Sequence, residues 1–377
     1  MICLLRNSGV FLSNSARLII MRQFILIVGL CFSLVSCYDA VESIPDGGDS
    51  HQPDDTPSLK LSAYSSHYCR VTTAGQVFCR GGKNEYGQLG NRVRYESGLA
   101  EVLVKGVLAG DVAVGYHHTC ALLRDSKRVA CWGRNDYGQA GVDGPEALLE
   151  PTPVDGLENI EQVAGGVYYT CALQKGGDIY CWGMANDSEL GPGYGDWTTG
   201  QTGATPELMQ HIEDVEYLRA STNTTCAVTE KGDALCWGLP LTPDDPGVKK
   251  GSYKIRTLNT GVTDLSLANG YLCYIKGTDL MCGSFNEKLE MSSTSVSTLA
   301  LEKVSSKSSE GPLCALGTSK DLYCMDQPLE SSFQGALTLV DGVTDTLEVA
   351  AGHLFFCALS ASGETTCQYG GMSDTTK

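Results

Sequence analysis

Fourteen of the seventeen cysteines fall into seven pairs, each nine to eleven residues apart: Cys69 with Cys79, Cys120 with Cys131, Cys171 with Cys181, Cys226 with Cys236, Cys273 with Cys282, Cys314 with Cys324, and Cys357 with Cys367. The first members step forward by 51, 51, 55, 47, 41 and 43 residues. A period of this length exceeds most helical repeats and suits a blade of about four strands. Within one unit, CALLR and RVACWG flank the polar DSK, the pattern of a β-hairpin. The two cysteines then face each other across an antiparallel pair, where opposed Cα atoms lie about 4.5 to 5.5 Å apart, inside disulfide range. Each hairpin is expected to be stapled, contributing roughly 2 to 3 kcal/mol in the chain-entropy model. Zinc favours close Cys-x-x-Cys pairs, and none occurs here.

The remaining cysteines, Cys3, Cys31 and Cys37, lie in the N-terminal leader. Met21 opens MRQFILIVGLCFSLVSC, in which Arg22 precedes an apolar run from Phe24 to Val35. This reads as a signal peptide over 1–36, with the true start at Met21. The run is too short to span a bilayer, which takes about 20 apolar residues. Leu34-Val35-Ser36-Cys37 resembles the lipobox of bacterial lipoproteins, which makes Cys37 the lipidated first residue of an exported, disulfide-permissive protein. Asp39 is one place removed from the position after the cysteine, and the outer membrane or cell surface is the expected address. Residues 38–58 hold six acids and no Lys or Arg. Such a segment buries too little apolar area to offset its ordering entropy, so it reads as a tether with a reach of roughly 25 Å.

The folded body is expected over 59–370, with 371–377 as a C-terminal tail. Its recurring segments, such as DVAVGYHHTCAL, EQVAGGVYYTCAL and LEVAAGHLFFCAL, are short and β-rich, each feeding the next hairpin. Seven such units close into a ring more readily than they stack openly, because a ring protects the sheet edges. The expectation is an all-β, seven-bladed β-propeller with one stapled hairpin per blade. Since the last hairpin ends at Cys367 near the C-terminus, blade seven either borrows a strand from Leu59 to Ala63 or the residues just before, or remains a strand short.

The repeats resemble those of the regulator of chromosome condensation family. Gly115-Tyr-His-His-Thr-Cys-Ala-Leu122 and Cys131-Trp-Gly-Arg-Asn-Asp-Tyr-Gly-Gln-Ala-Gly141 follow that pattern almost throughout, as do Cys79 to Gly90 and Gly166 to Gly191. The fourth unit keeps Cys226-Ala-Val and Cys236-Trp-Gly, and the fifth to seventh keep little beyond the cysteine hairpin. The resemblance implies a seven-bladed propeller. The nuclear exchange-factor role of the family does not transfer to a mature chain with 24 Lys plus Arg against 44 Asp plus Glu, which repels phosphate backbones and excludes nucleic acid as a partner. A secreted bacterial inhibitor propeller that grips another protein with blade-end loops is the nearer precedent, and it implies binding rather than chemistry.

The residues point the same way. His67 and His118 occupy one repeat position, filled later by Tyr169, Thr224, Tyr271, Pro312 and Phe355, an interchange that reads as packing. The alternative brings His67, His117 and His118 together at a metal, without a convincing ligand spacing. No Gly-x-Ser-x-Gly, His-Glu-x-x-His or phosphate-cradling loop is present. No catalytic residue, cofactor or metal is therefore expected. Trp132, Trp182 and Trp237 fill the Cys-Trp-Gly slot inside blades, whereas Trp197 lies in the glycine-rich insertion from Gly191 to Gly203. Aromatics on loops anchor interfaces, so Tyr194 and Trp197 are the candidate contacts, the bland alternative being that Trp197 folds over blade three. The function expected is a monomeric, lipid-anchored envelope protein whose propeller binds a protein partner, with basic partners favoured by the acidic surface. An exported enzyme acting on glycan or peptide at the central channel, or an envelope component without a ligand, are the alternatives.

Overall fold

Every cysteine pair sits at the centre of a two-stranded antiparallel ladder. In the computed structural model Cys120 lies directly opposite Cys131, and on either side of them Thr119 faces Trp132 and Ala121 faces Ala130. All seven expected disulfides are present. Cys69 is bonded to Cys79, Cys120 to Cys131, Cys171 to Cys181, Cys226 to Cys236, Cys273 to Cys282, Cys314 to Cys324 and Cys357 to Cys367. Each has the same Cα–Cα distance, 4.1 Å, shorter than the spacing expected from sequence because the bridge draws the two strands together. The half-cystines are buried and behave as core atoms. Several meet the next blade: Cys181 clusters with Leu218 of blade four, Cys282 with Leu313 of blade six, and Cys324 with Val349 of blade seven.

The structure describes residues 58–95, 98–184, 202–238, 256–268, 271–285, 291–308, 311–325, 336–369 and 372–374. The signal peptide, Cys37 and the tether up to residue 57 lie outside them, as do Tyr194 and Trp197.

Among the described residues there is no helix; all elements are strands. Five separate four-stranded antiparallel sheets follow a sheet of seven strands in which the long strand Gly98–Val114 both ends the first blade and opens the second. Counted that way, the described residues form seven four-stranded blades, each from one contiguous stretch of chain. The first strand of each blade is the innermost, and these strands neighbour one another around a central channel: Ser58–Tyr64, the second half of Gly98–Val114, Ile160–Gly165, Val215–Ser221, Val262–Ala268, Leu301–Ser305 and Thr346–Ala351.

Ring closure takes neither of the forms expected from sequence. Ser58–Tyr64 is the innermost strand of blade one, paired with His67–Thr72, and is not lent to blade seven. Blade seven completes itself with Met372–Asp374, which pairs with Thr365–Tyr369 and carries the last sheet past the boundary expected at 370. The ring shuts by packing: Ala63 and Tyr68 of blade one cluster with Ala350, Phe355, Cys357 and Cys367 of blade seven, and the His353 amide donates to the Ser65 carbonyl at 3.1 Å. No strand has to cross the seam because apolar burial closes it.

Innermost strands present an unpaired backbone edge to the channel, and unpaired amides are costly. One repeat position solves this with side chains that reach forward by one blade. Gln162 Oε1 accepts from the Leu218 amide at 2.6 Å while its Nε2 donates to the Leu218 carbonyl at 3.2 Å. Asp264 Oδ2 accepts from the Val304 amide at 2.8 Å, and Asp111 accepts from Val163. Two residues on, Ser62 Oγ accepts from the Val114 amide and Ser305 Oγ from the Ala351 amide. The strands are thus belted together around the channel.

The belt has a pH cost at Asp111. Burial lifts its carboxyl to about 6, against the pull of Lys60 and the backbone amides. The folded protein therefore holds this proton to higher pH than the unfolded chain does, and stability falls as pH rises from about 4 through about 6. Asp111→Asn keeps an oxygen acceptor and removes the titration. Its stability relative to wild type should rise between pH 4 and pH 7 by an amount on the order of 1 to 3 kcal/mol, read from urea midpoints. Parallel stability curves for the two proteins would contradict this reading of Asp111.

Candidate protein-binding face

The tight Asn-x-x-Gly-Gln-x-Gly loop explains why the Trp-Gly and glycine signals travel with the cysteines. Asn84 Oδ1 accepts from the Leu89 amide and Asn84 Nδ2 donates to the Val93 carbonyl, while Gln88 Oε1 accepts from the Tyr86 amide. Asn135 and Gln139 make the same bonds one blade later. The loop so fixed aims the Gln88 carbonyl at the next blade, where it accepts from Trp132 Nε1 at 2.9 Å and from Thr119 Oγ1 at 3.0 Å. Gln139 does the same for Trp182 at 3.1 Å and Thr170 at 2.9 Å. These tryptophans therefore pack between blades, against the preceding one, rather than inside their own as expected. Trp237 follows the same rule, clustering with Ile179 and Cys181 of blade three. Gly141 lies at φ +76, and a Cβ there would meet Trp182 Nε1 at 2.9 Å.

The histidine position is also an inter-blade lock. His67 Nε2 bonds Thr119 Oγ1 at 3.1 Å, His118 Nε2 bonds Thr170 Oγ1 at 3.0 Å, and the Tyr169 hydroxyl meets Thr225 Oγ1 at 3.0 Å. Burial lowers both His67 and His118 to about 3, so they are neutral at physiological pH. Packing is their role, and the described residues hold no group of three or more His, Cys, Asp or Glu suited to a metal.

The locked loops carry tyrosines outward on one end of the ring. That end holds the loops between first and second strands and between third and fourth strands. On blades one to three, Tyr64, Tyr86, Tyr116, His117, Tyr137 and Tyr168 form a connected aromatic layer, with ring centroids 4.2 to 6.4 Å apart along Tyr64–Tyr116, Tyr116–His117, His117–Tyr86, Tyr116–Tyr168 and Tyr168–Tyr137. The Arg134 guanidinium lies 4.9 Å from the Tyr86 centroid, 5.4 Å from Tyr137 and 5.0 Å from Tyr168. Asp136 holds it there with bonds of 2.8 and 2.6 Å. Arg94 stacks on Tyr86 and on Tyr95, whose side chain is largely exposed. Burial, reinforced by Arg134, lowers His117 to about 4 and keeps it an uncharged ring within the layer.

Such cation–aromatic contacts are worth about 0.5 to 2 kcal/mol each, more as they are desolvated. Their consequence here is rigidity. Half-buried rings held by a fixed guanidinium lose little rotamer freedom when a partner covers them, which is what makes tyrosine and arginine effective interface anchors.

Sequence reasoning points to Tyr194 and Trp197 as contacts and misses this layer. The available signal is Tyr86 and Tyr137, repeated at one place in Asn-x-Tyr-Gly-Gln, with Tyr116, His117 and Tyr168 just before the first-cysteine strands.

A closed ring of stapled four-stranded blades, locked by a Gln carbonyl to a Trp of the next blade, defines a β-propeller of repeat type. Residues 111–139 and 128–173 match models of the regulator of chromosome condensation (RCC1) repeat, so this part of the chain carries repeats of that family. It is similar to the ultraviolet-B receptor UVR8 of Arabidopsis thaliana, 29% identical over 186 residues covering 48% of this chain and 41% of the receptor. It is also similar to protein pim1 of Schizosaccharomyces pombe, 28% identical over 235 residues covering 55% of this chain and 41% of pim1. The match thus spans about two fifths of the length of either relative. Among solved structures, human WBSCR16 superposes with a TM-score of 0.62 at 16% identity, over 79% of this chain and 86% of that one, a likeness of fold.

Proposed function

We propose that this chain is an exported, lipid-anchored envelope protein, held through Cys37 and the acidic tether, whose propeller binds a protein partner with the tyrosine–arginine face. The observation that carries the reading is Arg134 layered against Tyr86, Tyr137 and Tyr168 on rigid loops at one end of the ring. The leader ending in Leu34-Val35-Ser36-Cys37 and the seven disulfides support export, since such bridges form in oxidising compartments.

Two measurements test it. Full-length protein captured on beads from its own envelope should retain a saturable protein partner, and Arg134→Ala with Tyr168→Ala should cut that retention by about ten-fold or more while leaving the disulfide-stapled fold intact. Equal retention by wild type and variant would contradict the face. Metabolic labelling with palmitate should mark the protein and be lost in Cys37→Ala; an unlabelled wild type would contradict the anchor.

A further inference from the structure

On the same end of the ring the mouth of the channel is rimmed by the loops that join first to second strands. The chain has 44 Asp plus Glu against 27 Lys plus Arg, yet the described parts of these loops contain no acid, and their one lysine or arginine is Lys307 of blade six. The single acid that the sequence places in them, Glu310, lies outside the described residues. Lys307 Nζ donates to the Ala220 carbonyl of blade four and lies 5.5 Å from the centre of the Tyr64 ring of blade one. Its own carbonyl accepts from Ser221 Oγ at 3.2 Å, which ties down the loop that carries it.

Both contacts suit a charged ammonium, and neither neutralises it: a carbonyl and an aromatic face take two directions of a group with three N–H donors. The cations of the innermost strands are matched by anions. Arg219 bonds Asp264 at 2.9 Å, Lys303 bonds Glu348 at 2.7 Å, and Lys60 bears on Asp111. Lys307 has no carboxylate paired with it among the described residues, and the charge that bears on it is another cation, Arg219. Arg219 is the one long side chain at its place on the innermost strands, where the other six blades have Ser or Ala. Glu161 and Glu216 are exposed near the opposite ends of their strands, so the unmatched charge along the channel runs from negative there to positive at the tyrosine end.

We infer that the channel mouth is a carboxylate-binding site built on Lys307, filled by an Asp or Glu side chain of the partner that covers the tyrosine layer. The source of the carboxylate rests on the reading of that layer as the binding face. Tyr64 joins the two places, since its ring faces Lys307 and meets Tyr116 of the layer edge-on at 6.4 Å. A carboxylate over the mouth accepts the Nζ donor that Ala220 and Tyr64 leave unspent, in a charge-assisted bond. Lys307 is half-buried, so the pair is less screened than one on open surface. One ammonium in excess matches a monoanion, whereas a phosphate dianion leaves a negative charge over. The partner is thus read at this spot by an acid, the reverse of what the net charge of the chain favours.

The test uses full-length oxidised protein with labelled tyrosines, at low ionic strength, and propionate as the probe, which is a glutamate side chain without its backbone. Propionate should shift the Tyr64 ring signals saturably in the millimolar range, and propionamide, its neutral counterpart, should not. Lys307→Gln keeps a donor for the Ala220 carbonyl and removes the charge; it should weaken propionate binding by about ten-fold or more, and Lys307→Arg should restore most of it. Equal responses to propionate and propionamide, a response unchanged in Lys307→Gln, or a response that appears only in Glu310→Gln would overturn the inference. On beads Lys307→Gln should also lower partner retention. Full retention by a variant that has lost propionate binding would assign the site to a free small acid and overturn its link to the partner. The propionate response needs no partner, so failure of this site and failure of the binding face are read separately.

Discussion

Full reduction of the seven disulfides should unfold the propeller at 37 °C. Each closes a loop of nine to eleven residues and contributes about 2 to 3 kcal/mol in the chain-entropy model, so the set sums to roughly 15 to 20 kcal/mol. Net stabilities of folded proteins run about 5 to 15 kcal/mol, less than that sum. The reduced chain should lose near-ultraviolet circular dichroism and expose fourteen alkylatable thiols in the propeller. Because the half-cystines are buried against neighbouring blades, reductant without denaturant should act slowly, limited by blade opening. A single deletion, Cys120→Ala with Cys131→Ala, should lower the melting temperature by about 3 to 5 °C and leave a folded ring. A fully reduced protein that keeps its tertiary signal would show that packing alone holds the blades. Appreciable alkylation of the fourteen propeller cysteines in the unreduced protein would contradict the stapled ladders themselves.

Removing one of the inter-blade tryptophans should be the costliest single substitution. Trp182 is fully buried, its Nε1 donates to the Gln139 carbonyl, and its indole lies beneath Gly141. Trp182→Ala should destabilise by about 3 to 5 kcal/mol, through the cavity and the lost donor. Gly141→Ala should also be destabilising, because φ +76 is a left-handed backbone and the new Cβ would sit 2.9 Å from the indole nitrogen. The two are in contact, so their effects should not add: with the indole gone, the part of the Gly141→Ala penalty due to Trp182 disappears, while the part due to the Val154 methyls at 2.8 and 2.9 Å remains. Urea denaturation of the two singles and the double checks this, and strict additivity would contradict the proposed contact. Such a result would also locate where the ring is locked, since Trp182 joins blade three to blade two.

The sequence is most legible where physics acts locally. A cysteine ten residues from its partner across a turn can only staple its own hairpin, so pairing and repeat count follow from spacing. Placing Trp132, Trp182 and Trp237 in the interior of their own blades fails because a motif fixes a residue within its strand and not which neighbour it meets. Ser58–Tyr64 is ambiguous for a related reason: a strand beside an acidic tether carries no sign of the blade it joins, and only packing against Thr346–Ala351 on one side and Gly98–Val114 on the other places it. The tyrosine–arginine layer is the least legible feature. Tyr86, Arg134 and Tyr168 belong to three successive blades, and nothing in the chain between them signals that a single guanidinium lies against the rings of Tyr86, Tyr137 and Tyr168. Their convergence is a product of the blade-to-blade rotation, which the repeat period implies only once the ring is closed.

Site-specific photo-cross-linking in the intact envelope decides whether the tyrosine–arginine layer is the binding face. A photoreactive residue placed at Tyr137 on the tyrosine–arginine end, and in a separate protein at Leu299 on the opposite end, reports which surface a partner covers. The expected result is a discrete cross-linked protein species from position 137 and none from position 299. A species formed from position 299 alone would place the partner on the other end and contradict the assignment of the tyrosine–arginine layer as the binding face.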